Sequence, residues 1–207
     1  MLVYKLTNPD MTTYGGCKWE LGVSKETTGL GNLCSSGWLH YYDDANLAII
    51  MNPIHAHIKH PRLFKARAKG EHKSDMGLKY GCTNLTLIKE LEVPEISDLH
   101  KIAFAILCIR RVCKEPSRMA WSKDYLSGKD RTTKYISNVV KDNWRLFDAI
   151  QNIMHAIDPK CPTITRPLLD IPDYIALAIT YAAGAYRLKT LSTLKLKPLI
   201  KQAMKIK

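Results

Sequence analysis

Near residue 97 the spacing of apolar residues changes from about two to about 3.6, and this change divides the chain into two kinds of structure. Before it, residues 2–6 (LVYKL), 17–23 (CKWELGV), 62–69 (RLFKARAK) and 85–93 (LTLIKELEV) read as strands. In the last of these, Leu85, Leu87, Lys89, Leu91 and Val93 fall on one side. Polar residues 70–81 read as a loop between two strands. Asp43 and Asp44 offer N-caps for a helix over 45–51, with Asn52-Pro53 as its stop.

After residue 97, Ser97 and Asp98 begin a helix whose stripe is Leu99, Ile102, Ala103, Ile106, Ile109 and Val112. Further helices are expected over 117–126, 132–157, 173–186 and 198–206. Four prolines (Pro159, Pro162, Pro167, Pro172) make 159–172 a linker. The predicted class is therefore α+β: a small, mostly antiparallel sheet domain over 1–96, followed by a helical part. That part divides into helices over 97–158, the linker, and basic C-terminal helices over 173–207.

Charge divides at the same place. Residues 1–95 carry 11 Lys+Arg against 10 Asp+Glu, a net of +1, and residues 96–207 carry 20 against 9, a net of +11. From Tyr174 to the end every charged side chain is a cation. Such segregation predicts a surface that attracts phosphates or an acidic protein. Lys197, Lys201 and Lys205 repeat every four residues and form a stripe, joined by Arg187, Lys189 and Lys195. The stripe suits nucleic-acid backbone, an acidic partner, an anionic membrane surface or plain solvent. Few aromatics accompany it, only Tyr174, Tyr181 and Tyr186, which favours backbone contact over base readout.

No apolar run approaches the roughly 18–20 residues that span a bilayer, and the first residues carry no secretory pattern. An intracellular, cytoplasmic setting is expected, with the six cysteines reduced. His55, His57 and His60 lie in PIHAHIKHP without a cysteine or carboxylate at zinc-ligand spacing, so no metal is expected there. Residues 127–132 (SGKDRT) lack the strand and spaced glycine of a nucleotide-binding loop. Lys129 and Arg131 remain candidates for phosphate contact at a helix start, with Asp130 as its cap. No fingerprint of a catalytic family is present, and no cofactor is expected.

The most unusual local stretch is GWLHYYDD, with rings at Trp38, His40, Tyr41 and Tyr42. Together with RLFKARAKG, LTLIKELEVPEIS and YLSGKDR, it resembles uncharacterised proteins of tailed phages, over roughly residues 1–135 and again at YIALAITYAAGAY. The resemblance implies a viral protein without assigned chemistry. With the basic half, it leads to the expectation of a binding protein or inhibitor that engages host nucleic acid or a nucleoprotein complex of defence or transcription.

The order of elements also resembles ADP-ribosyltransferase folds: Tyr4-Lys5 on a first strand, a Gly-aromatic turn into a helix, then Glu90-Leu91-Glu92. This second resemblance implies that Lys5 contacts NAD, that His40 or Tyr41 belongs to a nicotinamide pocket, and that Glu92 is the catalytic acid. Trp38 would line the same cleft. The first strand lacks the family's Arg or His, and no Ser-Thr-Ser run occurs.

Overall fold

A computed structural model of the chain describes residues 1–132, 144–158, 170–190 and 192–207. The chain is α+β, and it forms two units, Met1–Glu95 and Ile96–Lys207.

In the first unit the strands are β1 (Leu2–Thr7), β2 (Thr12–Thr13), β3 (Cys17–Lys18), β4 (Ser24–Glu26), β5 (Leu39–Tyr41), β6 (Arg62–Asp75) and β7 (Lys79–Leu91), with helix α1 (Ala45–His55) between β5 and β6. β6 and β7 form a long antiparallel hairpin. β1 pairs with the far side of β6, from Leu2 opposite Arg67 to Thr7 opposite Arg62. β4 and β5 pair with successive lengths of β7. One residue beyond β5, Tyr42 exchanges two 2.8 Å main-chain hydrogen bonds with Tyr4 of β1. The ring β1–β6–β7–β5 thereby closes on itself.

The interior holds Val3, Trp19, Leu39, Tyr41, Phe64, Ala66, Ala68, Cys82, Leu85 and Leu87. Phe64, Ala66 and Ala68 recur every two residues, so one face of β6 is apolar and supplies the wall of this core. α1 starts where Asp44 Oδ1 accepts from the main-chain N–H of Asn46 and Leu47.

Several sequence expectations need correction here. Residues 70–81 are not a loop. They belong to the hairpin, which runs out to Asp75 opposite Lys79 and turns through Met76 (φ 49°) and Gly77 (φ 80°). The distal half of β6 is exposed and polar on both faces, so it carries no hydrophobic alternation to announce a strand. Two bulges also break the simple period. One leaves Ile88 without a cross-strand partner, so Leu85 and Leu87 do not share a continuous face with Lys89 and Leu91. The other sits at Gly70, where φ is +78° and a Cβ would lie 2.1 Å from Thr83 Oγ1. The expected strand over 17–23 is only β3, although Trp19 is buried and Leu21 bridges Leu87. α1 continues past Pro53 because a proline in the last turn forfeits a single helical bond, and Asn52 secures the end by exchanging hydrogen bonds with Ile58.

In the second unit the helices are α2 (Asp98–Val112), α3 (Pro116–Ser127), α4 (Trp144–Ile157), α5 (Ile171–Thr190) and α6 (Leu196–Ala203). α2 is the central element. Its residues 102–109 are all buried, and α4, α5 and α6 pack on it. The basic C-terminal helices thus belong to the same unit as α2 rather than standing apart. Ser97 caps α2 by accepting from His100 N–H, as its sequence predicts. α5 starts at Ile171 with Pro172 in its first turn, where a missing N–H costs nothing. It presents Ala178, Ala182, Ala183 and Ala185 as a small-residue packing surface. Thr132 is not helical, and most of the expected linker over 159–172 lies outside the described residues, as do 133–143.

Candidate nucleic-acid interface

α6 runs antiparallel along α2. His100 Nε2 donates to Ile206 O at 3.1 Å near one end, and Leu199 and Gln202 lie beside the last turn of α2 at the other. Between them opens a groove of about 280 Å³, lined by Leu107, Arg110, Arg111, Lys114, Met119, Leu199 and Gln202. Leu107, Met119 and Leu199 give it apolar lining, and Arg110, Arg111 and Lys114 give it cationic lining. Arg111 and Lys114 are exposed and Arg110 is half-buried. Among the described residues none of the three forms an ion pair with a carboxylate.

Local sequence explains this arrangement. Arg110 and Arg111 occupy the last turn of α2, where cations complement the negative end of the helix dipole. Lys114 Nζ donates to Arg110 O at 3.4 Å, so the ammonium folds back over that helix end. The nearest acid in sequence, Glu115, is committed elsewhere. Its carboxylate caps α3, accepting from Ser117 Oγ at 2.6 Å and from the N–H groups of Ser117 and Arg118 at 3.0 Å. Those bonds, with the Ser117 hydroxyl first, hold its pKa below the usual carboxylate range. The groove therefore offers three positive groups and an amide, a set that suits an anion.

The other predicted cations are distributed differently. The helix start expected beyond Lys129 and Arg131 falls largely on residues 133–143, outside the described residues. The SGKDR segment closes α3: Gly128 is left-handed (φ 79°), and the N–H of Lys129 returns to Asp124 O. Lys129 Nζ lies 3.6 Å from Asp124 Oδ2, and Arg131 donates to Tyr125 O and to Lys207 O. Arg187 and Lys189 are exposed in the last turn of α5. Lys195, Lys197, Lys201 and Lys205 are exposed along or beside α6. The sequence reading did not single out Arg110, Arg111 or Lys114. The available signal was three cations in five residues at a helix end.

In the sheet unit, Lys5 is buried among the core residues. Its Nζ donates to His40 O at 2.8 Å and stands 5.0 Å from the centre of the Trp19 ring. Burial brings its pKa down to about 8, with the Lys79 charge adding to the effect. His40 projects from the opposite face of β5 to Tyr41, and its Nε2 donates to Leu33 O. Tyr41 stacks on Tyr80 with ring centres 5.4 Å apart and shares a 3.0 Å hydrogen bond with His72 Nδ1. Trp38 is buried under Lys73, whose Nζ is 4.6 Å from the ring centre. Glu92 follows the far end of β7 and is exposed. Gly81, which pairs with His40, is near the other end of that strand. Lys5, His40 and Tyr41 are thus neighbours; Glu92 is exposed and lies two residues past Glu90, which shares the cross-strand partner Phe64 with Lys5. Glu90 is bound to Arg62 by two hydrogen bonds of 2.7 and 2.6 Å.

His55 faces Tyr42, with a 3.3 Å hydrogen bond through Nδ1. His57 instead donates to Pro53 O, and His60 is exposed, so the three histidines of PIHAHIKHP do not converge. Among the described residues no group of three His, Cys, Asp or Glu side chains has metal-binding geometry, and no helix is long and apolar enough to cross a membrane.

Residues 1–99 match the model of a family described as a domain of unknown function (DUF7666). The match covers the sheet unit and ends at the start of α2, so the cationic groove lies beyond it. No curated protein and no solved structure matches the chain.

Proposed function

We propose that the helical unit binds nucleic acid through its phosphate backbone, with Arg110, Arg111 and Lys114 as the primary contacts. The observation that carries this reading is a groove lined by three cations that have no ion-pair partner among the described residues, in a unit of net charge +11. Exposed Lys195, Lys201 and Lys205 extend the positive field along α6. In the setting suggested by the tailed-phage resemblance, the nucleic acid belongs to a host defence or transcription complex, and binding inhibits it.

Fluorescence anisotropy with labelled DNA and RNA duplexes tests the reading. Three phosphate contacts imply roughly a 40-fold loss of affinity between ~50 and ~200 mM salt. Changing Arg110, Arg111 and Lys114 together to Gln removes that binding. Unchanged binding by the triple variant places the contacts elsewhere. Capture by polyglutamate with no affinity for either duplex redirects the reading to an acidic protein surface.

A further inference from the structure

Lys79 opens β7 and is only 7% exposed, yet its Nζ has an unusual partner. It donates to Cys34 Sγ at 3.4 Å, and among the described residues it forms no ion pair with a carboxylate. Its charge disfavours protonation of its neighbours Lys5, His40 and His55. Among the described residues, no ion pair with a carboxylate offsets the desolvation of this ammonium.

Cys34 is exposed, in the loop that leads into β5. That loop is held against the sheet. His40 Nε2 donates to Leu33 O, Leu33 packs where Gly81 has no side chain, and Ser35 N–H donates to Asn32 O. The sulfur is thus open to small oxidants on one side and fixed beside an amine on the other. Cys17, Cys34, Cys82, Cys108 and Cys113 are all free thiols, so Nζ of Lys79 is the nucleophile that the fold places against this sulfur.

We propose that Cys34 and Lys79 form a peroxide-responsive pair that closes into a covalent sulfur–nitrogen cross-link. In the first step the Cys34 thiolate attacks hydrogen peroxide. A sulfur–oxygen bond forms, the peroxide O–O bond breaks, sulfur is oxidised to the sulfenic acid, and hydroxide leaves. The hydroxide takes a proton from the Lys79 ammonium and becomes water. The free amine then attacks sulfur, the sulfur–oxygen bond breaks, and a second water leaves with the remaining transferred proton. The sum is thiolate, ammonium and peroxide giving a sulfenamide and two waters. The thiolate is the reactive species, and the ammonium already at the sulfur supplies its counter-charge. Closure converts a buried charge into a neutral bond and pins the loop to β7.

The test treats the full chain with a few-fold excess of hydrogen peroxide, followed by intact-mass measurement and peptide mapping. The expected result is a cross-link between the peptides containing Cys34 and Lys79, two hydrogens lighter than their sum and reversed by dithiothreitol. In Lys79→Arg, which keeps the charge, Cys34 should instead be trapped by dimedone as sulfenic acid. Cys34→Ser should show neither product. Wild-type protein that gives the dimedone adduct on Cys34 without the cross-link overturns the proposal. So does oxidation of the other cysteines while Cys34 stays reduced. Both outcomes are read on wild-type protein, so a variant that fails to fold does not affect the decision.

Discussion

Lys5 Nζ donates a 2.8 Å hydrogen bond to the carbonyl oxygen of His40, so a lysine ammonium links β1 to β5 from inside the sheet. Few sites are less favourable for a charge. Lys5 is 7% exposed and stacked over an indole, and burial is the main reason its pKa lies at about 8.

The sign of the resulting pH dependence follows directly. Between about pH 8 and the ordinary lysine range the unfolded chain holds a proton that the folded chain has released, so this group's contribution to stability rises with pH. Near neutrality the cost is fully present, of order 3 kcal/mol. Lys5→Met removes that cost and leaves the His40 carbonyl without its donor, a smaller loss of about 1 kcal/mol. The variant should therefore exceed wild type in urea stability at pH 7, and its advantage should shrink by pH 9.5. An advantage that does not change between pH 7 and pH 9.5 would show that folded Lys5 keeps its proton across that range and that burial does not lower its pKa.

His55 works at the acid end. Burial, then the charges of Lys79 and His40, bring its pKa down to about 3. Below the ordinary histidine range the unfolded chain takes up a proton that the folded chain refuses until about pH 3. Stability then falls with pH by up to roughly 1.4 kcal/mol per pH unit. His40, also shifted downward by burial, acts in the same direction. His55→Phe preserves the ring stacked on Tyr42 and removes one titrating group. Its acid-unfolding midpoint, followed by far-ultraviolet circular dichroism, should move to lower pH.

Gly37 tests how tightly the loop before β5 is built. A Cβ there would lie 2.1 Å from Leu30 O, and Gly37 O accepts from Gly29 N–H at 2.9 Å. Gly37→Ala must push two backbone segments apart, and a destabilisation of about 1–3 kcal/mol is expected. Chemical denaturation measures it, and Trp38 fluorescence should report greater exposure.

The three histidines of PIHAHIKHP provide a metal test. With His55 turned to Tyr42 and His57 to Pro53 O, a strong chelator should leave the thermal midpoint unchanged. A drop on chelation, with stoichiometric zinc in untagged protein, would overturn that expectation.

What the sequence made legible was local. The caps at Asp44 and Ser97 and the apolar stripe of α2 each depend on residues within one or two helical turns of one another. The distal hairpin did not show itself, because its residues face solvent on both sides and pairing alone keeps them extended. Lys5 stood out as a basic residue beside an aromatic, but its burial is imposed by Trp19 and β5, which are distant in sequence. The groove was hidden for the same reason. Its arginines lie on α2, and the opposite wall arrives some ninety residues later at Leu199 and Gln202.

The Tyr4–Tyr42 pairing also limits how the N-terminal unit can recruit partners. An open flank of β1 would present main-chain donors and acceptors to any extended peptide, including the same strand of another copy. Here the donor and acceptor of Tyr4 are already taken. A guest strand would have to peel Tyr42 away before it could add, and runaway stacking of copies along that flank is blocked by two hydrogen bonds.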